Sequence, residues 1–251
     1  MKARIVRFIA CVAVSFSMLT ACFELSAQDS SVKHQSGRSS KSHILIGTQF
    51  PLQFTAGYSY RFSNRVSTRA QAGIITKPYS GFIVSAMEAL GMDKYLARII
   101  KKTFQSGAIY GVGPNYHLGK NYVGVYGQYL HLKGGGIKPA DALSLYFKKD
   151  FTELDISGLP VFEFSMQSNM VNAGVLFGRQ FQLRNPRFAV NGEVGLSKIV
   201  ASNNNFSSNR SIVDRIPFIQ NLYKEIDTEI QDAYWKYGFV PTINLYLVYH
   251  L

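Results

Sequence analysis

The chain has 251 residues, two cysteines and a formal charge of +12, with 47% apolar and 17% charged residues. Both cysteines, Cys11 and Cys22, lie near the start, so the rest of the chain has no internal disulfide and no cysteine-based metal or redox site. A basic balance of this size in a cytosolic protein points to nucleic acid, but the first residues direct the chain elsewhere.

Lys2, Arg4 and Arg7 precede an apolar stretch over residues 8–21. That stretch is shorter than the roughly 20 residues a spanning helix needs, and reads as an export signal. Two cleavage sites compete. Leu19-Thr20-Ala21-Cys22 resembles a lipobox, which would leave Cys22 lipidated. Leu25-Ser26-Ala27 resembles an ordinary signal-peptidase site. The second is favoured, because a chain already held in a membrane gains little from an acyl chain. The signal is therefore expected over residues 1–27. Residues 28–42 are polar and read as a flexible periplasmic lead-in. Export removes nucleic acid as a partner and leaves lipid headgroups, lipopolysaccharide or polyanionic solutes for the positive charge.

No later apolar run reaches 18 residues, so no transmembrane helix is expected. Period-two segments appear instead. From Ile44 to Phe62 the apolar residues fall at even positions, with Gln49, Gln53, Thr55, Ser59 and Arg61 between them. Val66, Ala70, Ala72 and Ile74 alternate with Ser67, Arg69 and Gln71. Further alternating or aromatic-rich segments cover residues 107–118, 121–132, 164–182, 187–201 and 235–251. In the last, Ile243, Leu245, Leu247, Tyr249 and Leu251 form one apolar face. Several such segments near the membrane-spanning length of about 9–11 residues predict a transmembrane antiparallel up-and-down β-barrel. Both chain ends on one side require an even strand number. Eight is expected, with the first strand near residues 44–50 and a reversal at Gln49-Phe50-Pro51. The unbroken even phase through that reversal argues instead for one long strand. A hairpin around Leu143, Leu145 and Phe147 is the other source of a strand, and ten strands the next count.

The connections alternate between short and long. Ser63-Asn64-Arg65, Gly119-Lys120-Asn121 and Arg184-Asn185-Pro186 suit tight turns. Residues 77–106, 133–160 and 202–234 form long loops, and Gly134-Gly135-Gly136 reads as a flexible loop start. Two loops carry helical stripes. Phe82, Ile83, Ala86, Met87 and Leu90 precede Gly91, with Asp93 as a cap, and Tyr95, Leu96, Ile99, Ile100 and Phe104 continue the stripe. The second stripe is Ile216, Ile219, Leu222, Tyr223, Ile226 and Ile230, with Pro217 suited to a first turn. The first helix is basic at Lys94, Arg98, Lys101 and Lys102. The second is acidic at Glu225, Asp227, Glu229 and Asp232. Opposite charge would steer the two together and the stripes would dock them as an outer lid or binding platform. The competing arrangement places each separately on the barrel rim or at the membrane interface.

Charge is scarce in the strands. No acid occurs between Asp29 and Glu88 or between Asp93 and Asp141, and Glu193 stands nearly alone among strand carboxylates. Arg61, Arg69 and Glu193 occupy polar phases, and Arg179 joins them from an ambiguous one. They read either as a solute-selecting constriction or as an ion-pair network filling a small barrel, whose interior is only wide enough for side chains at eight strands. Tyr58, Tyr60, Phe62, Tyr122, Tyr126, Tyr129, Phe177 and Tyr249 are expected in aromatic girdles. The histidines are His34, His43, His117, His131 and His250. No clustered metal set, HExxH or phosphate loop accompanies them. No metal and no cofactor are expected.

The mature chain resembles the small outer-membrane β-barrel proteins of Gram-negative bacteria. The resemblance rests on the signal, the loop asymmetry, Phe54-Thr55-Ala56-Gly57-Tyr58-Ser59-Tyr60-Arg61-Phe62, and the terminal Leu245-Tyr246-Leu247-Val248-Tyr249-His250-Leu251. The terminal Leu replaces the commoner Phe and leaves the expected recognition by the outer-membrane assembly machinery intact. The resemblance implies an architecture over residues 43–251 in the outer membrane, and no single activity. Three functions stay open. The first is a non-enzymatic barrel whose outer loops bind a ligand, a partner or lipopolysaccharide. The second is a narrow pore or transporter. The third is a lipid-modifying enzyme using His131, although no serine or acid motif stands beside it.

Overall fold

A computed structural model describes residues 41–75, 106–137, 163–210 and 212–251, together with Gly81, Ser85, Glu88, Gly91, Leu96, Ala97, Ile100, Lys101, Ala140 and Ser144. The signal and the lead-in as far as residue 40 lie outside these.

Eight antiparallel strands close into a barrel: β1 (Ser42–Phe50), β2 (Gln53–Arg61), β3 (Val66–Ile75), β4 (Ser106–Leu118), β5 (Asn121–Ile137), β6 (Phe164–Gln182), β7 (Phe188–Ser208) and β8 (Phe239–His250). Each pairs with its sequence neighbour, and β1 pairs with β8, as in Ile46 opposite Leu247. Closure leaves no unpaired edge. One end of the barrel holds three tight turns and the outer ends of β1 and β8; the other holds the long loops and the short turn between β1 and β2.

The expected first hairpin is present. Gln49 faces Gln53, and three residues, Phe50, Pro51 and Leu52, make the turn. A turn with an odd number of residues returns the chain in the same phase, so Ile46 lies opposite Ala56 and both point outward. This is why the even-position pattern crosses the reversal without a break. An extra strand is not needed from the loop after β5, where Ala140 and Ser144 are helical and the Ser144 hydroxyl donates to the Ala140 carbonyl. The remainder of that proposed hairpin lies outside the described residues.

Three strand ends differ from the sequence expectation. β5 continues through Gly134-Gly135-Gly136, because Gly136 takes a left-handed φ of 73° and forms a bulge there. β7 continues to Ser208. A bulge beside Val171 and Asn172 shifts its register, so odd residues face inward up to Ile199 and even residues from Ser202 onward. The phase change, with polar Asn203 and Asn205 on the outside, hides this part of the strand from a period-two reading. β8 starts later than expected, at Phe239, because helix α1 (Pro217–Tyr237) occupies the preceding residues and ends at Gly238. Pro217 stands in the first turn of α1, where its missing N–H costs nothing.

Outward strand positions are apolar around the whole circumference. Ile46, Val112, Val175 and Leu245 are 62%, 60%, 57% and 56% exposed. Inward positions are mostly polar in the lower and middle lumen, where Leu45, Ala189, Tyr246 and Val248 form a small apolar cluster, and apolar towards the long-loop end.

Candidate functional site

The lumen is the one place where the strands concentrate charge. Arg69 on β3 and Glu193 on β7 form a two-pronged ion pair, with Nη1 to Oε1 at 2.5 Å and Nη2 to Oε2 at 3.2 Å. In a ring of eight strands β3 and β7 stand diametrically opposite, so the pair bridges the full lumen. Tyr122 on β5 donates its hydroxyl to Glu193 Oε1, and the Asn244 amide on β8 donates to Oε2 at 2.9 Å. The Arg69 guanidinium lies over the Tyr246 ring, 5.0 Å from its centre. A Cβ at Gly178 would come within 2.4 Å of Tyr122 Cζ, so the Tyr122 ring uses space that only glycine leaves.

A second bar crosses nearer the long loops. The Gln53 and Gln128 amides each donate to Gln49 Oε1 at 2.8 Å. Gln49 lies on β1 and Gln128 on β5, again opposite strands.

Above these bars the lumen becomes apolar. Leu52 of the first hairpin turn and Ile75, Ile109, Leu130, Met170 and Ile199 of the strands join one buried cluster with Ile219, Leu222, Ile226, Ile230, Ala233 and Tyr234 of α1. Leu96, Ala97 and Ile100, which have helical backbone, belong to the same cluster. The described residues Leu96, Ala97 and Ile100 of the first helical loop thus share the barrel mouth with α1. Ile216 is exposed because it precedes the helix as its N-cap. Polar contacts fix α1 in place. Asn204 on β7 donates to Asp227, and Ser168 on β6 donates to Asn204 Oδ1. The Tyr223 hydroxyl donates to Asp214 at 2.7 Å. Burial first, and that bond next, push the Tyr223 hydroxyl above its ordinary range.

The expected charge residues divide accordingly. Arg61, Arg69 and Glu193 face the lumen. Arg179 does not join them: it is exposed on the outward phase of β6, over the Phe181 ring, at the margin of the apolar wall near the tight turns. Its neighbours Val175 and Phe177 share that outward phase, which settles the ambiguity. Of the loop charges, Lys94, Arg98 and Lys102 lie outside the described residues. Lys101, Glu225 and Asp232 are exposed and Glu229 is half-buried. Asp227 meets strand and helix amides, accepting from Asn204 and from Gln231. Two expected girdle members, Tyr122 and Tyr126, point inward instead, because β5 places its even residues in the lumen. Tyr58, Tyr129, Phe177 and Tyr249 stay on the outward phase.

A histidine group at the tight-turn end has no counterpart in the sequence expectation. Arg61 Nη2 lies 3.3 Å from His117 Nδ1, and His117 Nε2 lies 2.8 Å from Ser67 Oγ. His43 and His250 meet edge to face through their Nδ1 atoms at 2.8 Å. All five residues share the inward phase of their strands, and that shared phase was the available signal. His131 stands apart, with Nδ1 2.7 Å from Asn169 Oδ1. Asn169 is neither nucleophile nor acid.

No family model matches the chain, and no curated protein matches it. Among solved structures the chain is similar to Acinetobacter baumannii CarO, at 10% identity and a TM-score of 0.40 over 85% of this chain and 98% of that one. It is also similar to Acinetobacter baumannii CarO2, at 12% identity and a TM-score of 0.37 over the same shares. Neither value is high enough to bear on what this chain does.

Proposed function

We propose that this protein is a non-enzymatic outer-membrane β-barrel, closed to solute flow, whose long-loop end carries a binding surface for an extracellular ligand, a partner or lipopolysaccharide. The observation that carries the reading is the filled lumen. The Arg69–Glu193 bridge spans it, and the mouth above is packed with α1 and the helical residues around Leu96. A conducting pore needs a continuous polar path, and apolar packing interrupts that path.

Membrane placement is supported by the wall. From Phe188 to Val200 the outward residues of β7 are mostly apolar. At about 3.3 Å per residue this stretch runs about 40 Å, and a tilt of about 40° brings it to about 30 Å, the thickness of a bilayer's hydrocarbon core. The outward cations sit at the margins, with Arg179 near the tight turns and Lys198 near the long loops, its ammonium 3.9 Å from the Trp235 ring centre.

The test is planar-bilayer conductance of the refolded protein. The intact barrel is expected to give no stable open level, and removal of residues 212–237 is expected to raise the frequency of open events. Steady conductance of the intact chain that changes with Arg69→Gln would refute closure and favour the narrow-pore reading, which draws on the polar lower lumen.

A further inference from the structure

Glu193 is the only carboxylate in the eight strands, whereas two guanidiniums, Arg61 and Arg69, face inward. Arg69, Tyr122 and Asn244 already engage Glu193. Arg61 is left without a counter-charge: among the described residues no carboxylate lies within ion-pair distance of it. Its Nε is buried with no hydrogen-bond partner. A half-buried guanidinium in this condition is costly unless something anionic meets it.

The facing histidines supply a second unmet donor. Of the two Nδ1 atoms in the His43–His250 contact, one must accept, so that ring carries its proton on Nε2. Both Nε2 atoms are buried without a partner.

Against Arg61 and His43 lies a cavity of about 30 Å³ to which every strand contributes a residue. Arg61, Arg69, His43, His117, Asn115 and Gln180 line it, and no carboxylate does. Its field is therefore positive. A water needs about 10–15 Å³, so the space suits about two waters or one small ion of similar bulk.

The geometry points to a resident small inorganic anion of the halide class, bound in the lower lumen by Arg61 with donors from the histidine and amide lining. This goes beyond the proposed function and does not depend on what the outer loops bind. The anion would neutralise Arg61 as Glu193 neutralises Arg69.

The test uses bromide as probe. Crystals of the full barrel soaked in bromide are expected to show one anomalous peak in this cavity, within hydrogen-bond distance of Arg61. The peak is expected to vanish in Arg61→Gln. In solution, the unfolding midpoint should rise by several degrees over about a hundredfold range of chloride at fixed ionic strength, balanced with gluconate. The variant should lose that rise. A cavity holding only water at saturating bromide, or a bromide peak of unchanged occupancy in Arg61→Gln, would overturn the assignment. So would a chloride response equal in both proteins.

Discussion

Glu193 is held by donors from three strands, and Arg69 among them needs its charge. Glu193→Gln leaves Arg69 buried and unpaired, which is expected to cost about 3–5 kcal/mol in urea-induced unfolding from lipid vesicles. Joint replacement, Arg69→Met with Glu193→Leu, is expected to recover most of that loss, because a buried pair largely spends its attraction on its own desolvation. A double variant as weak as the single one would place the cost in Tyr122 and Asn244. The polar phase of Arg61, Arg69 and Glu193 was legible from alternation alone, since each has apolar neighbours at odd spacing. The pairing across the lumen was not, because the partners are 124 residues apart and only the closed ring makes β3 face β7.

Helix α1 shows how one element depends on the barrel for its stability. Its buried stripe, Ile219, Leu222, Ile226 and Ile230, follows helical spacing and was visible in sequence. What it packs against was not visible, because the inward residues at the barrel mouth, such as Leu130, Met170 and Ile199, break the polar-inside rule read lower down. Leu222 is 1% exposed. Leu222→Ala is expected to destabilise the packed helix by about 2–5 kcal/mol. Hydrogen exchange should then quicken through residues 217–237 while the amides of β2 and β3 stay protected. Equal loss of protection in both would mean that helix and barrel unfold as one unit. The first hairpin teaches the same lesson at the level of a turn. Its continuous even phase looked like one strand, but phase cannot distinguish a straight run from a three-residue reversal.

At the scale of the whole molecule the distribution of charge states which side meets hydrocarbon. Val175 lies on the outward face near mid-height. Val175→Lys is expected to cost about 2–4 kcal/mol of folding free energy in vesicles, and a lysine at the margin much less. Folding in vesicles that is indifferent to Val175→Lys would remove the wall from hydrocarbon and the membrane reading with it. Strand number was accessible to sequence through the requirement that both chain ends share one side, which makes the count even and calls for the short first strand. The capped mouth was not, since loop length says nothing about whether a loop turns inward.

The two lumen bars join β3 to β7 and β1 to β5, strands made far apart along the chain. A partly assembled sheet therefore lacks the partnerships that cross its interior: Arg69 waits for Glu193 until β7 has curled round to meet it, and Asn244 arrives only with the last strand. The interior locks as the seam between β1 and β8 zips shut. An incomplete barrel stays hollow, wet and unbridged, and so is easily told from a finished one.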